Sequence, residues 1–234
     1  MRVLGLDTSN YTTSCAVFDG AGGVNRGRIL DVRPGELGLR QSDALFQHIK
    51  HLPGRFAELQ AEGWLTGLSA VGASTRPRAV EGSYMPCFLA GASQGQSLAH
   101  VLGVPFYAFS HQQGHLAAAA WSAGRMDLLD RPFLAWHLSG GTTELLYVEP
   151  DGVAVRAEIL GGTTDISAGQ LIDRTGVLLG LQFPAGKSLD ALSGEADASM
   201  KYRVKRDGLR FSLSGMENQV KKLLADGEKP ANIA

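Results

Sequence analysis

A short apolar run at 3–6 stops at the polar set Asp7-Thr8-Ser9-Asn10, and a second β-like run fills 14–18 before Asp19-Gly20. Two such runs around a polar turn predict a hairpin. Between 41 and 59, Ala44, Leu45, His48, Ile49, Leu52, Phe56 and Leu59 recur at steps of three and four, the period of a helix, although Pro53-Gly54 is expected to bend or break it. The pattern then predicts a buried strand at 68–73, a loop opening at Arg76-Pro77-Arg78, a helix at 88–102, a strand at 104–109 and a small-residue helix at 111–122.

A second cycle starts at Phe133. The run 133–138 reads as a strand ending in Ser139-Gly140-Gly141-Thr142-Thr143, and 144–148 with 153–159 continues the sheet across Pro150-Asp151-Gly152. A helix with one polar face is expected over 165–179 and is broken by Phe183-Pro184-Ala185-Gly186. The stretch 201–210 is basic and poor in apolar residues, 211–215 is a loop or short strand, and 216–224 is a helix. The repeated plan predicts two related α/β lobes, 1–128 and a partial 129–234, with a ligand between them facing the turns at strand ends.

At 234 residues and 44% hydrophobic, 19% charged composition, the chain has ample material for a core, and disorder or a fibrous repeat is excluded. Glycine is the outlier: 30 residues, nearly twice the ordinary share of about 7%. With 22 basic against 23 acidic side chains there is no global cationic field, so a nucleic acid would be held by a local patch or by another subunit. Cys15 and Cys87 form neither CxxC nor zinc spacing and read as reduced thiols. No run approaches the ~18 apolar residues of a membrane span. The expectation is a cytoplasmic protein without membrane contact.

Each chemical signal has a plain structural counterpart. The first turn, with Asp7 and Ser9, suits a phosphate or a hydrated divalent ion, but hairpin turns use the same residues. The 139–143 turn offers amides and hydroxyls in the same way, and two such turns opening two lobes favour a phosphate clamp. Walker A and GxGxxG sequences are absent. His111 and His115 stand four apart, a spacing that places both on one helix face and allows them to chelate one ion; a polar helix start is the simpler alternative. Gln112 occupies the position where an HExxH protease carries its general base, which disfavours that chemistry. Asp173, Gly186 and Asp190 are either ribose and adenine contacts or surface acids and a turn glycine. Lys201, Arg203, Lys205, Arg206 and Arg210 either track an RNA backbone or form a solvated loop.

Together these segments resemble the TsaD family of tRNA threonylcarbamoyladenosine transferases, long labelled O-sialoglycoprotein endopeptidases or glycoproteases, in the actin-like, sugar-kinase-like ATPase superfamily with its ribonuclease H-like lobes. Six stretches carry the resemblance in order: 3–9 through Thr13; Val104-Pro105-Phe106 with Ser110-His111-Gln112-Gln113-Gly114-His115 (HxEGH); Leu138 to Thr142 (SGGHT); 162–173 (GxTxDDAxGEAFDK); 178–186 (LLGLxYPGG); and 211–215 (FSFSG). The resemblance implies that His111 and His115 bind one iron or zinc ion per subunit. It implies that Ser9 and the turn Leu138, Ser139, Gly140, Gly141 and Thr142 hold the phosphates of ATP, AMP or threonylcarbamoyl-adenylate, and that Asp173, Gly186 and Asp190 take the ribose side. It further implies tRNA as substrate and a TsaB-like subunit or a second copy as partner. The implied reaction moves a threonylcarbamoyl group to the N6 amine of an adenosine in tRNA.

The sequence departs from the family pattern at Thr142, Ile166, Gln170, Gln113 and Arg76-Pro77-Arg78. No counterpart is present to the family's later GGVAAN and DNG segments, the second of which supplies an acidic metal ligand. This implies a divergent paralogue, naturally shortened or represented by a fragment. It is either a transferase, favoured by His111 and His115, or a non-catalytic dimerisation scaffold, favoured by the missing acid. Glycoprotein proteolysis has no mechanism in these residues.

Overall fold

The computed structural model describes residues 1–32 and 39–234. It is a mixed α/β structure with two five-stranded sheets and two compact units: Met1–Asp130 with Pro150–Arg156, and Arg131–Glu149 with Ala157–Ala234.

In the first unit β1 (Arg2–Asp7) pairs antiparallel with β2 (Thr12–Phe18), which pairs antiparallel with β3 (Gly23–Ile29). On its other edge β1 runs parallel to β4 (Leu68–Arg76), and β4 runs parallel to β5 (Phe106–Ser110), giving the order β3-β2-β1-β4-β5. Inward-pointing Leu4, Leu6, Cys15 and Val17 meet Leu52 and Leu59 of α1 (Gln41–Ala61) and Ala90 and Ala99 of α2 (Phe88–Leu102) in one core. Gly91 and Gly95 let α2 lie close on the sheet: a β-carbon on Gly95 would sit 3.1 Å from Leu6 and from Phe106. Of the two outcomes expected at Pro53-Gly54, a bend or a break, the break does not occur: Pro53 lies inside a continuous α1. Ala44, His48, Leu52 and Leu59 form a buried row through it, and that burial outweighs the ~3 kcal/mol that an interior proline costs. The strand β3, with its glycines and arginines, was not legible from the pattern.

The strand β5 passes directly into α3 (His111–Ser122), whose start is fixed by a capping box: Ser110 accepts from the Gln113 amide, and the Gln113 side chain accepts from the Ser110 amide. Both cysteines are buried and unbridged, and burial pushes the Cys15 thiol up to about 12.

The second unit contains β6 (Phe133–Leu138), β7 (Thr143–Asp151) and β8 (Ala154–Thr163), extended by β9 (Lys205–Asp207) and β10 (Arg210–Ser212) in the order β6-β7-β8-β10-β9, with residues 150–156 of the β7–β8 hairpin grouped with the first unit. The expected helix at 165–179 is α4 (Ala168–Leu178), opened by a second capping box between Ser167 and Gln170. Beyond it lie α5 (Gly186–Ser193), α6 (Ser214–Ala225) and α7 (Pro230–Ile233); α5 begins where the sequence pattern showed only a break. No described helix is long and apolar enough to cross a membrane.

Candidate functional site

Because β1, β4 and β5 are parallel, their C-terminal ends gather at one sheet edge, the usual position of ligand sites in α/β folds. There Asp7, the last residue of β1, becomes the hub of a hydrogen-bond network. Its Oδ1 accepts from the Ser9 amide at 2.8 Å and from the Ser9 hydroxyl. Its Oδ2 accepts from the Ser74 hydroxyl at 2.6 Å and from His111 Nδ1 at 2.9 Å. Burial alone would raise this carboxyl, but the hydrogen bond and charge of His111, with Ser74 and Ser9, hold it at about 2 rather than 3.8.

With Nδ1 donating to Asp7, the neutral form of the His111 ring carries its lone pair on Nε2. That Nε2 lies 2.8 Å from Nε2 of His115, one helical turn on, with the ring centroids 4.2 Å apart. Two imidazole nitrogens so converged could serve as two ligands of one ion; opening to roughly 3.4 Å would suit tetrahedral ligands at ~2.1 Å. The carboxylate on the far side of His111 is the usual orienting partner of a metal-bound histidine. Among the described residues no group of three or more His, Cys, Asp or Glu side chains could hold a metal ion.

Behind this edge, Thr8 Oγ1 donates to Cys87 O at 2.9 Å and accepts from the Gly91 amide at 3.0 Å, tying the turn to the start of α2. The fully buried His48 meets Thr13 Oγ1 at 2.8 Å and Asn10 O at 3.3 Å, and burial lowers its pKa. Asn10 is held at φ 46°, a conformation asparagine tolerates.

Residues 47–234 match the family model of TsaD, tRNA N6-adenosine threonylcarbamoyltransferase. A transferase of that name from Thermus thermophilus is 34% identical over the whole of this chain, which covers 71% of that protein. The chain belongs to the TsaD family. A second relative of the same name, from Granulibacter bethesdensis, is 34% identical over 99% of this chain and 65% of its own length. The chain thus spans about two thirds of the length of the curated relatives it matches. Among solved structures, HypF of T. kodakarensis superposes with a TM-score of 0.52 at 14% identity, over 99% of this chain and 37% of that one, a likeness of fold alone. The mixed α/β fold with two sheets agrees with the expected fold class.

The second unit of this TsaD-family chain carries the other expected residues. The turn after β6 is tied to the N-terminus of α4: Ser167 Oγ donates to Gly140 O at 2.7 Å, the Ala168 amide to Thr143 Oγ1 at 2.7 Å, and the Gly169 amide to Ser139 O at 3.3 Å. The amides of Gly141 and Thr142 both donate to Ser139 Oγ, at 3.2 and 3.0 Å. Gly140 and Gly141 face open space. Asp173 on α4 accepts from the Ala185 amide at 2.8 Å, which seats it beside Gly186 at the start of α5, and exposed Asp190 stands one turn further along α5.

A residue that sequence reasoning left without a role is Asp165. It accepts from the hydroxyls of Ser212 and Ser214, both at 2.6 Å, and from the amides of Ile166 and Leu213 at 2.8 and 2.9 Å. Although desolvation opposes it, this set lowers the carboxyl well below the usual range. Its partners lie 47 and 49 positions away, and no local pattern announces them.

Two of the departures from the family pattern prove to be capping residues. Gln113 and Gln170 each stand at the third helical position of a capping box, where glutamine and glutamate serve equally. Gln113 also donates through Nε2 to Val155 O at 2.7 Å, which a carboxylate could not do.

Proposed function

We propose that this chain serves the transfer of a threonylcarbamoyl group from its adenylate to N6 of an adenosine in tRNA. The observation that carries the reading is the Asp7–His111–His115 array, a carboxylate-oriented imidazole pair with converged nitrogens. In this reading His111 and His115 hold one iron or zinc ion, both of which accept imidazole ligands. Bound there, the ion would polarise phosphate oxygens of the nucleotide as a Lewis acid. Asp7, Ser9 and Ser74 hold the His111 ring and its Nδ1 proton in place.

The 139–142 turn binds phosphate through the amides of Gly141 and Thr142, released from Ser139. Asp173 and Asp190 accept from ribose hydroxyls, and Gly186 leaves space for the nucleoside. The N6 amine attacks the carbamoyl carbonyl carbon, the bond from that carbon to the AMP phosphate oxygen breaks, one N6 proton passes to solvent, and AMP departs with its charge matched by the amide donors. Purified chain is expected to hold one iron or zinc per polypeptide by elemental analysis, and His111→Ala to lose it together with at least tenfold in calorimetric ATP affinity. A metal-free wild type whose ATP affinity His111→Ala leaves unchanged sinks the reading.

The tRNA itself is assigned to the β9–β10 hairpin. There Lys205, Arg206 and Arg210 are exposed beside Lys201 and Arg203, although the chain as a whole is near neutral. Phosphate contacts make affinity fall with salt, by roughly one unit of log–log slope per contact. Lys205→Glu with Arg206→Glu is expected to weaken a tRNA shift and to flatten its salt dependence by about two units; equal slopes for wild type and variant remove the hairpin from the interface. A TsaB-like subunit or a second copy completes the proposed assembly.

A further inference from the structure

The strand-end edge that carries Asp7 and His111 holds one more chemical group beside the carboxylate and the imidazoles. Arg76 is the last residue of β4, and Arg76-Pro77-Arg78 is one of the places where the sequence leaves the family pattern. It stands opposite Ser110 of β5, the residue before His111, at the ~4.8 Å that separates neighbouring strands. Arg76 is exposed, and among the described residues no acid or carbonyl pairs with its guanidinium.

The backbone fixes Arg76 in this place. Ser74 faces Phe109 and Arg76 faces Ser110, so two steps along β4 match one along β5 and the register slips at Thr75. Such bulges are rare in parallel pairs; they break the two-residue alternation and re-aim the side chain that follows. Thr75 Oγ1 donates to Phe109 O at 3.2 Å across the irregular step. Pro77 restricts Arg76 to extended backbone, the conformation it has at the end of β4. The Pro77 carbonyl accepts from the Gln112 amide at 3.1 Å, one of the N–H groups at the start of α3 that have no partner inside the helix. Strand pairing with Ser110 and the Gln112–Pro77 bond thus tie Arg76 from two sides to the segment that carries His111. Asp7 does not serve as its counter-ion, because each of the carboxylate oxygens already accepts two donors.

We propose that Arg76 is a catalytic residue that grips the terminal phosphate of AMP as it leaves. The guanidinium is permanently charged and presents two parallel N–H donors at the spacing of two phosphate oxygens. With two oxygens on Arg76, a third is left for the ion placed at His111 and His115, and a phosphate monoester has three terminal oxygens where a diester or a carboxylate has two. The adenylate becomes a monoester only as the bond from the carbonyl carbon to the phosphate oxygen breaks and its electron pair stays on that oxygen. Arg76 therefore stabilises charge that builds during the transfer and is absent from the bound adenylate. No proton passes to or from the guanidinium. The proposal rests on the reading of His111 and His115 as a metal site and adds to it the residue that selects the leaving group.

Calorimetry on the zinc-loaded chain, comparing AMP with the methyl ester of AMP, tests this. Wild type is expected to bind AMP roughly tenfold or more tightly than the ester, and Arg76→Ala to erase that preference while keeping its zinc and its melting temperature. Arg76→Lys, which keeps the charge and loses the fork, is expected to retain only part of it. A wild type that binds both ligands equally, a preference that survives in Arg76→Ala, or a full preference in Arg76→Lys would each overturn the proposal. The metal reading fails separately, when the wild type takes up no zinc and His111→Ala changes no affinity; loss of the preference in Arg76→Ala would then still stand against its retention as the measure of Arg76.

Discussion

Gly169→Ala is expected to destabilise the second unit by about 1–3 kcal/mol, as overpacking does, and to lower nucleotide affinity more than tenfold. A β-carbon at 169 would lie 2.6 Å from Gly140 Cα, 2.6 Å from Ser139 O and 2.9 Å from Gly140 N. All three obstacles are backbone and cannot turn aside as the end of a flexible side chain does. The turn is also fastened to α4 by the three hydrogen bonds from Ser167, Ala168 and Gly169, so it can move only by stretching them, at a cost of roughly 0.5–1.5 kcal/mol each. Thermal unfolding followed by circular dichroism should show a fall on the order of 10 °C in the transition of this unit. Gly141→Ala is the control, because a β-carbon there meets nothing and the site loses no fastening; its melting temperature should stay within a degree or two of wild type. A Gly169→Ala protein that melts with the wild type would show that the turn is not clamped to the helix.

Legibility followed locality. The hairpin of β1 and β2, α2, α3 and β6 were written in short-range period and in turn residues, and the structure places them at or close to the expected bounds. The strand β3 escaped because Gly23-Val24-Asn25-Arg26-Gly27-Arg28-Ile29 forms an edge with most of its side chains in water, so it carries no core pattern. Pro53 misled because a local rule met a tertiary one: four buried side chains hold α1 together across a position where the isolated helix would end.

The site divided in the same way. His111 and His115 were visible as a spacing, but what orients them was not. Ser74 belongs to β4 and reaches Asp7 only because β4 lies parallel beside β1, a pairing that joins residues 67 positions apart. Asp165 is a hub for serines that β10 and α6 bring to it. Gln113 and Gln170 looked like lost carboxylates until their backbone partners were seen; a substitution that changes charge at a cap keeps the hydrogen bond and so leaves the helix start intact.

The largest functional effect is expected from Asp7→Asn. Each carboxylate oxygen of Asp7 accepts two donors: the Ser9 amide and hydroxyl on one, the Ser74 hydroxyl and His111 Nδ1 on the other. An amide side chain has a single acceptor oxygen. If its NH2 faces Ser9, it opposes a backbone N–H that has no alternative; if it faces His111, the ring must shift its proton to Nε2, the atom that converges on His115. Either orientation degrades the imidazole pair, and loss of such an orienting partner typically weakens metal binding 10–100-fold. Chelator competition at neutral pH measures this directly, and equal metal affinity in both proteins would remove Asp7 from the role given to it. Acid unfolding supplies an independent readout. Because the folded carboxyl titrates at about 2 rather than 3.8, its stabilisation, about 2 kcal/mol, is complete above pH ~4 and lost as pH falls toward 2. Asp7→Asn should therefore be the less stable protein at pH 7, with the difference closing through that acid window and none of it appearing on the alkaline side.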